Sequence, residues 1–200
     1  GGNVVLNSDT DTATSAGGGI RILGTVTSAD GDITLGGGAD PAATNTVATA
    51  TSGNDGIQID GGTLDAAAGD ISLRGSSTLD DGIGIQNGAT IQTTSGVISL
   101  NGTSTTASGD DGVEITGVGT TITSATGSIS VVGVGSAGDG VDISSDAVVS
   151  STGTATITID GTSTAVDQAG VRLQDTNTQI TSVDGNVSIT GANNSNLGVF

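Results

Sequence analysis

Aliphatic residues fall along this chain in short alternating bursts, and the bursts recur in a fixed order. One unit reads Gly56-Ile57-Gln58-Ile59, a lone Leu64, Gly69, then Ile71-Ser72-Leu73-Arg74-Gly75. The next reads Gly82-Ile83-Gly84-Ile85, Ile91, Gly96, then Ile98-Ser99-Leu100-Asn101-Gly102. The series continues from Gly112-Val113-Glu114-Ile115, Gly140-Val141-Asp142-Ile143 and Gly170-Val171-Arg172-Leu173. An earlier unit holds Ile20-Arg21-Ile22, Val26 and Ile33-Thr34-Leu35, and partial units lie at Val4-Val5-Leu6 and Gly198-Val199. Period-two alternation specifies strands. No stretch carries the spacing of a helical face, and Gly, Ser and Thr are poor helix formers. Each repeat of 26 to 30 residues is expected to hold three short strands joined by turns.

The spacings separate what is constrained from what is free. From the lone aliphatic to the next Gly the step is five residues in Val26–Gly31, Leu64–Gly69, Ile91–Gly96, Ile122–Gly127, Val148–Gly153 and Ile180–Gly185. Length varies instead between the Ile-Ser-Leu strand and the next Gly-Ile-x-Ile. It is greatest from Gly36 to Asp55, which holds the single proline, Pro41. That stretch, 36–55, is expected to be a long protruding loop. Gly153 to Ile157 carries two more residues than Gly127 to Ile129, which predicts a bulge or widened corner.

One such unit has too few aliphatics to offset the entropy of ordering it, so the units must stack. Stacking at about 4.8 Å per coil pairs every strand with its counterpart above and below. The predicted fold is an all-β parallel β-solenoid, a right-handed β-helix with three strands per coil. It runs through 1–200 as about six coils plus partial terminal coils, within a longer array or a head-to-tail filament. Two glycine columns, Gly56-Gly82-Gly112-Gly140-Gly170-Gly198 and Gly31-Gly69-Gly96-Gly127-Gly153-Gly185, are expected at corners that need positive φ.

Composition narrows the function. With one Phe and no Trp or Tyr, the core must be built from Val, Ile, Leu and Ala. Twenty-one acidic residues against three Arg and no Lys give a net charge of -18. That charge repels phosphate backbones and anionic lipid, so nucleic acid is excluded as a partner and divalent cations are the natural counterions. Absence of Cys removes disulfides and thiolate metal sites. No apolar run reaches membrane-spanning length.

The Gly-x-Ile-Ser-Leu and Gly-Ile-x-Ile strands with their Asn, Asp and Gly turns resemble β-strand-repeat segments of large bacterial exoproteins. They are similar in particular to the filamentous-haemagglutinin-like and autotransporter-passenger β-helices, and the likeness runs through essentially the whole chain. What the resemblance implies is secretion to the bacterial surface and a long rod serving as spacer, fibre, adhesin, biofilm or surface-layer component. Its partners would be neighbouring coils or subunits, glycans and host or cell surfaces.

Among polar features an acidic row stands out. Asp55, Asp81, Asp111 and Asp139 each precede a first-strand Gly, with Asp80 and Asp110 doubling two of them and Ala169 breaking the row. Carboxylates stacked one coil apart repel by about 1 kcal/mol per pair in water. Calcium is the hard cation suited to relieve that; the other reading is solvated turn aspartates. A calcium-dependent or carbohydrate-binding module acting through this row is therefore the alternative function. A second row, Thr34, Ser72, Ser99, Ser130, Thr158 and Ser188, should line an outer face as a hydroxyl ladder or a place for sugars. Asn101, Asn186 and Asn193 lie in Asn-x-Ser/Thr triplets. No enzyme is expected. His, Lys, Tyr and Trp are absent, and the paired acids Asp80-Asp81 and Asp110-Asp111 recur with the repeat, as architectural residues do.

Overall fold

The computed structural model describes residues 1–8, 18–44, 46–51, 54–194 and 198–200. It is a parallel β-solenoid of three sheets and about six coils, each coil giving one strand to each sheet. Strand β1 (Val4–Ser8) precedes the first coil, which holds β2 (Ile20–Ile22), β3 (Thr25–Thr27) and β4 (Ile33–Gly37), then α1 (Pro41–Thr44) and β5 (Ala48–Ala50). The second coil is β6 (Ile57–Asp60), β7 (Thr63–Asp65) and β8 (Ile71–Ser77). The third is β9 (Ile83–Gln86), β10 (Thr90–Thr93) and β11 (Ile98–Ser104). The fourth is β12 (Val113–Thr116), β13 (Thr121–Ser124) and β14 (Ile129–Gly135). The fifth is β15 (Val141–Ser144), β16 (Val148–Ser151) and β17 (Ile157–Ser163), and the sixth β18 (Val171–Leu173), β19 (Gln179–Ser182) and β20 (Val187–Asn193).

Register is kept through the stack. Ile71 pairs with Ile98, Ile98 with Ile129, Ile129 with Ile157 and Ile157 with Val187, each step one coil. Because side chains alternate across a strand, this register sends every second residue into one dry column. Ile71, Leu73, Ile98, Leu100, Ile129 and Val131 are fully buried, and Ile59, Ile85, Ile115 and Ile143 face them from the second sheet. Val199 bridges Val171, so a seventh coil begins at the end of the chain.

Three details depart from the sequence reading. In the fifth coil it is Val149, not Val148, that pairs with Ile122 and is buried, and Val148 sits beside Thr121. The corner residue there is Ala155, whose carbonyl faces Gly185 as Gly96's faces Gly127, so the corner contains one extra residue rather than two and Gly153 lies off the ladder. Two adjacent valines made both registers equally apolar.

Nor do the ladder glycines serve for positive φ. Among the described residues the glycines in that region are Gly38, Gly61, Gly88, Gly109, Gly117 and Gly119, none of them in either column. Space is the requirement. A Cβ on Gly82 would lie 2.2 Å from the Thr103 nitrogen, and one on Gly102 would lie 2.0 Å from the Gly112 carbonyl oxygen. Gly75, Gly102, Gly133, Gly161 and Gly191 thus form a further column, packed against the backbone of the Gly82-type column at a narrow edge of the coil.

The stretch 36–55 divides in two. Gly36 and Gly37 continue β4 and pair with Asn7 and Ser8, while β5 pairs Ala48–Ala50 with Gly75–Ser77. Between them α1 lies over β4 and β1. Asp40 starts this turn by accepting the Ala43 N–H at 3.1 Å.

Candidate functional site

The acidic row forms a ladder at the corner before the first strand of the second to fifth coils. Asp81 Oδ1 accepts the N–H of Asp111, Asp111 Oδ1 that of Asp139, and Asp139 Oδ1 that of Ala169, each at 2.6 Å. At the start of the row the Asp81 N–H donates to Asp80 Oδ1 at 3.2 Å, with the Asp55 carboxylate beside it. Asp81, Asp111 and Asp139 thereby each hold the coil that follows. Ala169 does not break this ladder, because only its N–H is used.

These carboxylates are not solvated turn residues. Asp55 and Asp139 are buried and Asp81 and Asp111 half-buried. Burial pushes Asp81 up to about 9, opposed by the Asp111 N–H and reinforced by Glu114. Asp111 rises to about 8 and Asp55 to about 7, again chiefly through burial, with nearby carboxylates adding to it. Glu114 is raised by burial and by Asp142, and Asp142 by burial to about 6. Burial thus favours the protonated forms of Asp55, Asp81 and Asp111 relative to an exposed carboxylate.

The row is not four equal cation sites. Asp139 is matched by Arg172, whose Nε lies 2.9 Å from Oδ2 and whose terminal nitrogen donates to Oδ1 at 3.1 Å. At the other end Asp55, Asp80 and Asp81 bring one oxygen each within 4.8 Å of one another. Gly84 makes this possible: a Cβ there would fall 2.3 Å from Asp55 Oδ2, so the carboxylate takes the room a side chain would need. Three oxygens at this spacing form an incomplete shell for calcium, which takes six to eight oxygens, the rest coming from water. Asp110 instead accepts from Thr106 and Ser108, at 2.9 and 2.6 Å.

Sequence reasoning missed a second ladder. Asn3 Oδ1 accepts the Asp32 N–H at 3.0 Å, Asp32 Oδ1 the Asp70 N–H at 3.0 Å and Asp70 Oδ1 the Val97 N–H at 2.7 Å. Its signal was the Gly-Asp pair at Gly31-Asp32 and Gly69-Asp70. The hydroxyl row is in register from Thr34 through Ser72, Ser99, Ser130 and Thr158 to Ser188. Asn101 and Asn186 are exposed, whereas the triplet at Asn193 includes Ser195, outside the described residues.

No family model matches the chain, and no curated protein or solved structure matches it either. The likeness to haemagglutinin-like and autotransporter β-helices is accordingly one of repeat pattern, and the fold rests on the coil geometry. No helix among the described residues is long and apolar enough to cross a membrane.

Proposed function

We propose that the protein is a structural rod of the bacterial cell surface, in which stacked coils act as spacer or fibre and lateral features make the contacts. The observation that carries this reading is the unbroken in-register stack of three parallel sheets, repeated coil after coil. Residues that recur with the coil, the acidic ladder among them, hold coil to coil, which is the work of a scaffold rather than of a catalytic centre. Electron microscopy on cells and on purified protein tests it: thin rods outside the cell support the reading, and discrete globular particles or an internal location sink it.

A second reading, calcium binding, is favoured at one place by the approach of Asp55, Asp80 and Asp81. Calcium should raise the melting temperature of the native protein and not that of Asp80→Asn. An equal rise in both would return this corner to a purely architectural role.

A further inference from the structure

A groove of about 270 Å³ opens on the outer face of the first sheet, against α1. Asp32 and Asp70 line it from the corner, Thr34 and Ser72 from the hydroxyl row, Arg74 from farther along β8, and Ala42 from α1. The acidic ladder recurs coil after coil, but this groove does not. α1 is the only helix among the described residues, and it packs chiefly on β4 and β1.

Two polar groups here are available to a ligand. Thr34 is in register with the half-exposed Ser72 and Ser99, yet it is only 9% exposed, and among the described residues its hydroxyl has no hydrogen-bond partner. Its oxygen is not sealed from solvent: it opens into the groove, where a ligand can bond it. Arg74 is one of three cations in a chain with 21 acids, yet it forms no ion pair among the described residues. One of its terminal nitrogens donates to Ser72 Oγ at 2.7 Å, and its other N–H groups remain to be used. Asp70 spends one oxygen on the Val97 N–H and has the second to offer.

This mixture selects the ligand. An anion would meet two carboxylates in a chain of charge -18, and a cation would meet Arg74. A ligand that donates and accepts at several points, and carries no charge, satisfies all of them. The acceptors and hydroxyls recur along the sheet at about 4.8 Å, a spacing that hydroxyls around one sugar ring can bridge. The volume lies at the small end for ligand pockets, which suits one ring rather than a long chain.

We propose that the groove beneath α1 binds a neutral saccharide unit, with Arg74 donating to its oxygens, Asp70 and Asp32 accepting from its hydroxyls, and Thr34 completing the network. Because no aromatic ring floors the groove, single-site affinity is weak. Tight attachment would come from many copies side by side on a surface. The proposal stands apart from the rod reading, since a groove of this kind needs only the first three coils.

Nitrogen-15-labelled protein titrated with methyl glucoside and N-acetylglucosamine, with glucuronate and glucosamine as charged controls, tests it by NMR. The neutral sugars should shift the amides of Thr34, Ser72 and Arg74. Arg74→Gln should weaken the effect about tenfold. Ala42→Trp, which fills the groove from its roof, should abolish it while the remaining spectrum stays native. Absence of shifts with both neutral sugars, binding that survives Ala42→Trp, or binding of glucuronate alone would each overturn the proposal.

Discussion

Arg172 and Asp139 meet across one coil step, Nε to Oδ2 at 2.9 Å, and the pair closes the acidic ladder with its single positive charge. Asp139 is 1% exposed, so its carboxylate depends on that guanidinium and on the Ala169 N–H. Arg172 is itself fixed by Gln168, whose side-chain oxygen accepts from it at 2.8 Å. Arg172→Met should lower stability by about 2 kcal/mol, the usual worth of hydrogen bonds to a charged group. Adding Asp139→Asn should restore most of the loss, because a neutral amide oxygen still accepts the Ala169 N–H without needing a counterion. Urea unfolding of the two variants checks both steps.

The ladder also fixes the sign of the pH dependence. Asp55, Asp81 and Asp111 are raised from 3.8 to about 7, 9 and 8. Between those limits the folded protein binds more protons than the unfolded chain, so stability falls as pH rises. The contribution is whole below the unfolded value and is lost through the folded ones. In chelator-containing buffer the melting temperature should drop steadily from about pH 5 to about pH 9. Asp111→Asn keeps an acceptor for the Asp139 N–H without the charge, and should flatten that profile. A melting temperature that rises over this range would refute the assignment.

Much of this fold could be read from residue order. Period-two alternation placed the strands and fixed spacings placed the corners, because a stack tolerates length changes only where the chain leaves it. The misreading at Val148 and Val149 shows where such reasoning runs out. Two adjacent aliphatics carry no phase, and only pairing with Thr121 and Ile122 settles which one turns inward. The hydroxyl that follows two positions later, as Thr93 and Ser124 do, does not help, because Ser150 and Ser151 satisfy that spacing from either valine.

The acidic row was legible as a row but not as a ladder. Spacing placed Asp81 and Asp111 at equivalent corners. Their role as acceptors for the next coil's N–H depends on how far each carboxylate is drawn beneath the backbone, which composition does not encode. The groove under α1 was less legible still. Thr34 and Ser72 were read as one repeating column, and the burial that singles out Thr34 comes from an insertion whose path no local pattern specifies.

Glycine substitutions separate space from conformation. A Cβ on Gly102 would lie 2.0 Å from the Gly112 carbonyl oxygen and 2.7 Å from Val113 Cγ2, and the backbone there cannot yield cheaply. Gly102→Ala should therefore cost about 3 kcal/mol or more. Gly24 has nothing within 4 Å of its Cβ position and no positive φ. Gly24→Ala should be neutral or stabilising by up to about 1 kcal/mol, through the unfolded chain. Thermal unfolding distinguishes the two, and equal effects would mean that the glycine columns are not the close contacts described.

The insertion itself can be removed along a seam that the register defines. Ile33 to Leu35 pair with Ile71 to Leu73, and Ala48 to Ala50 resume at Gly75 to Ser77. Joining Gly36 directly to Ala48 would reproduce the uninterrupted 7-residue strand of the second to fifth coils. Deletion of 37–47 should accordingly leave a folded solenoid with native far-UV dichroism and a melting temperature lowered by only a few degrees, since surface insertions contribute little to the stack. The cost that remains comes from Ser8, which loses Gly37 as its partner in β1. The Thr34 side chain should then gain solvent, while its backbone stays paired with β1 and β8 on either side. A deletion that unfolds the protein would mean that α1 belongs to the core of the first coil. A folded deletion would mark 37–47 as an addition to a complete coil, free to vary without disturbing the rod.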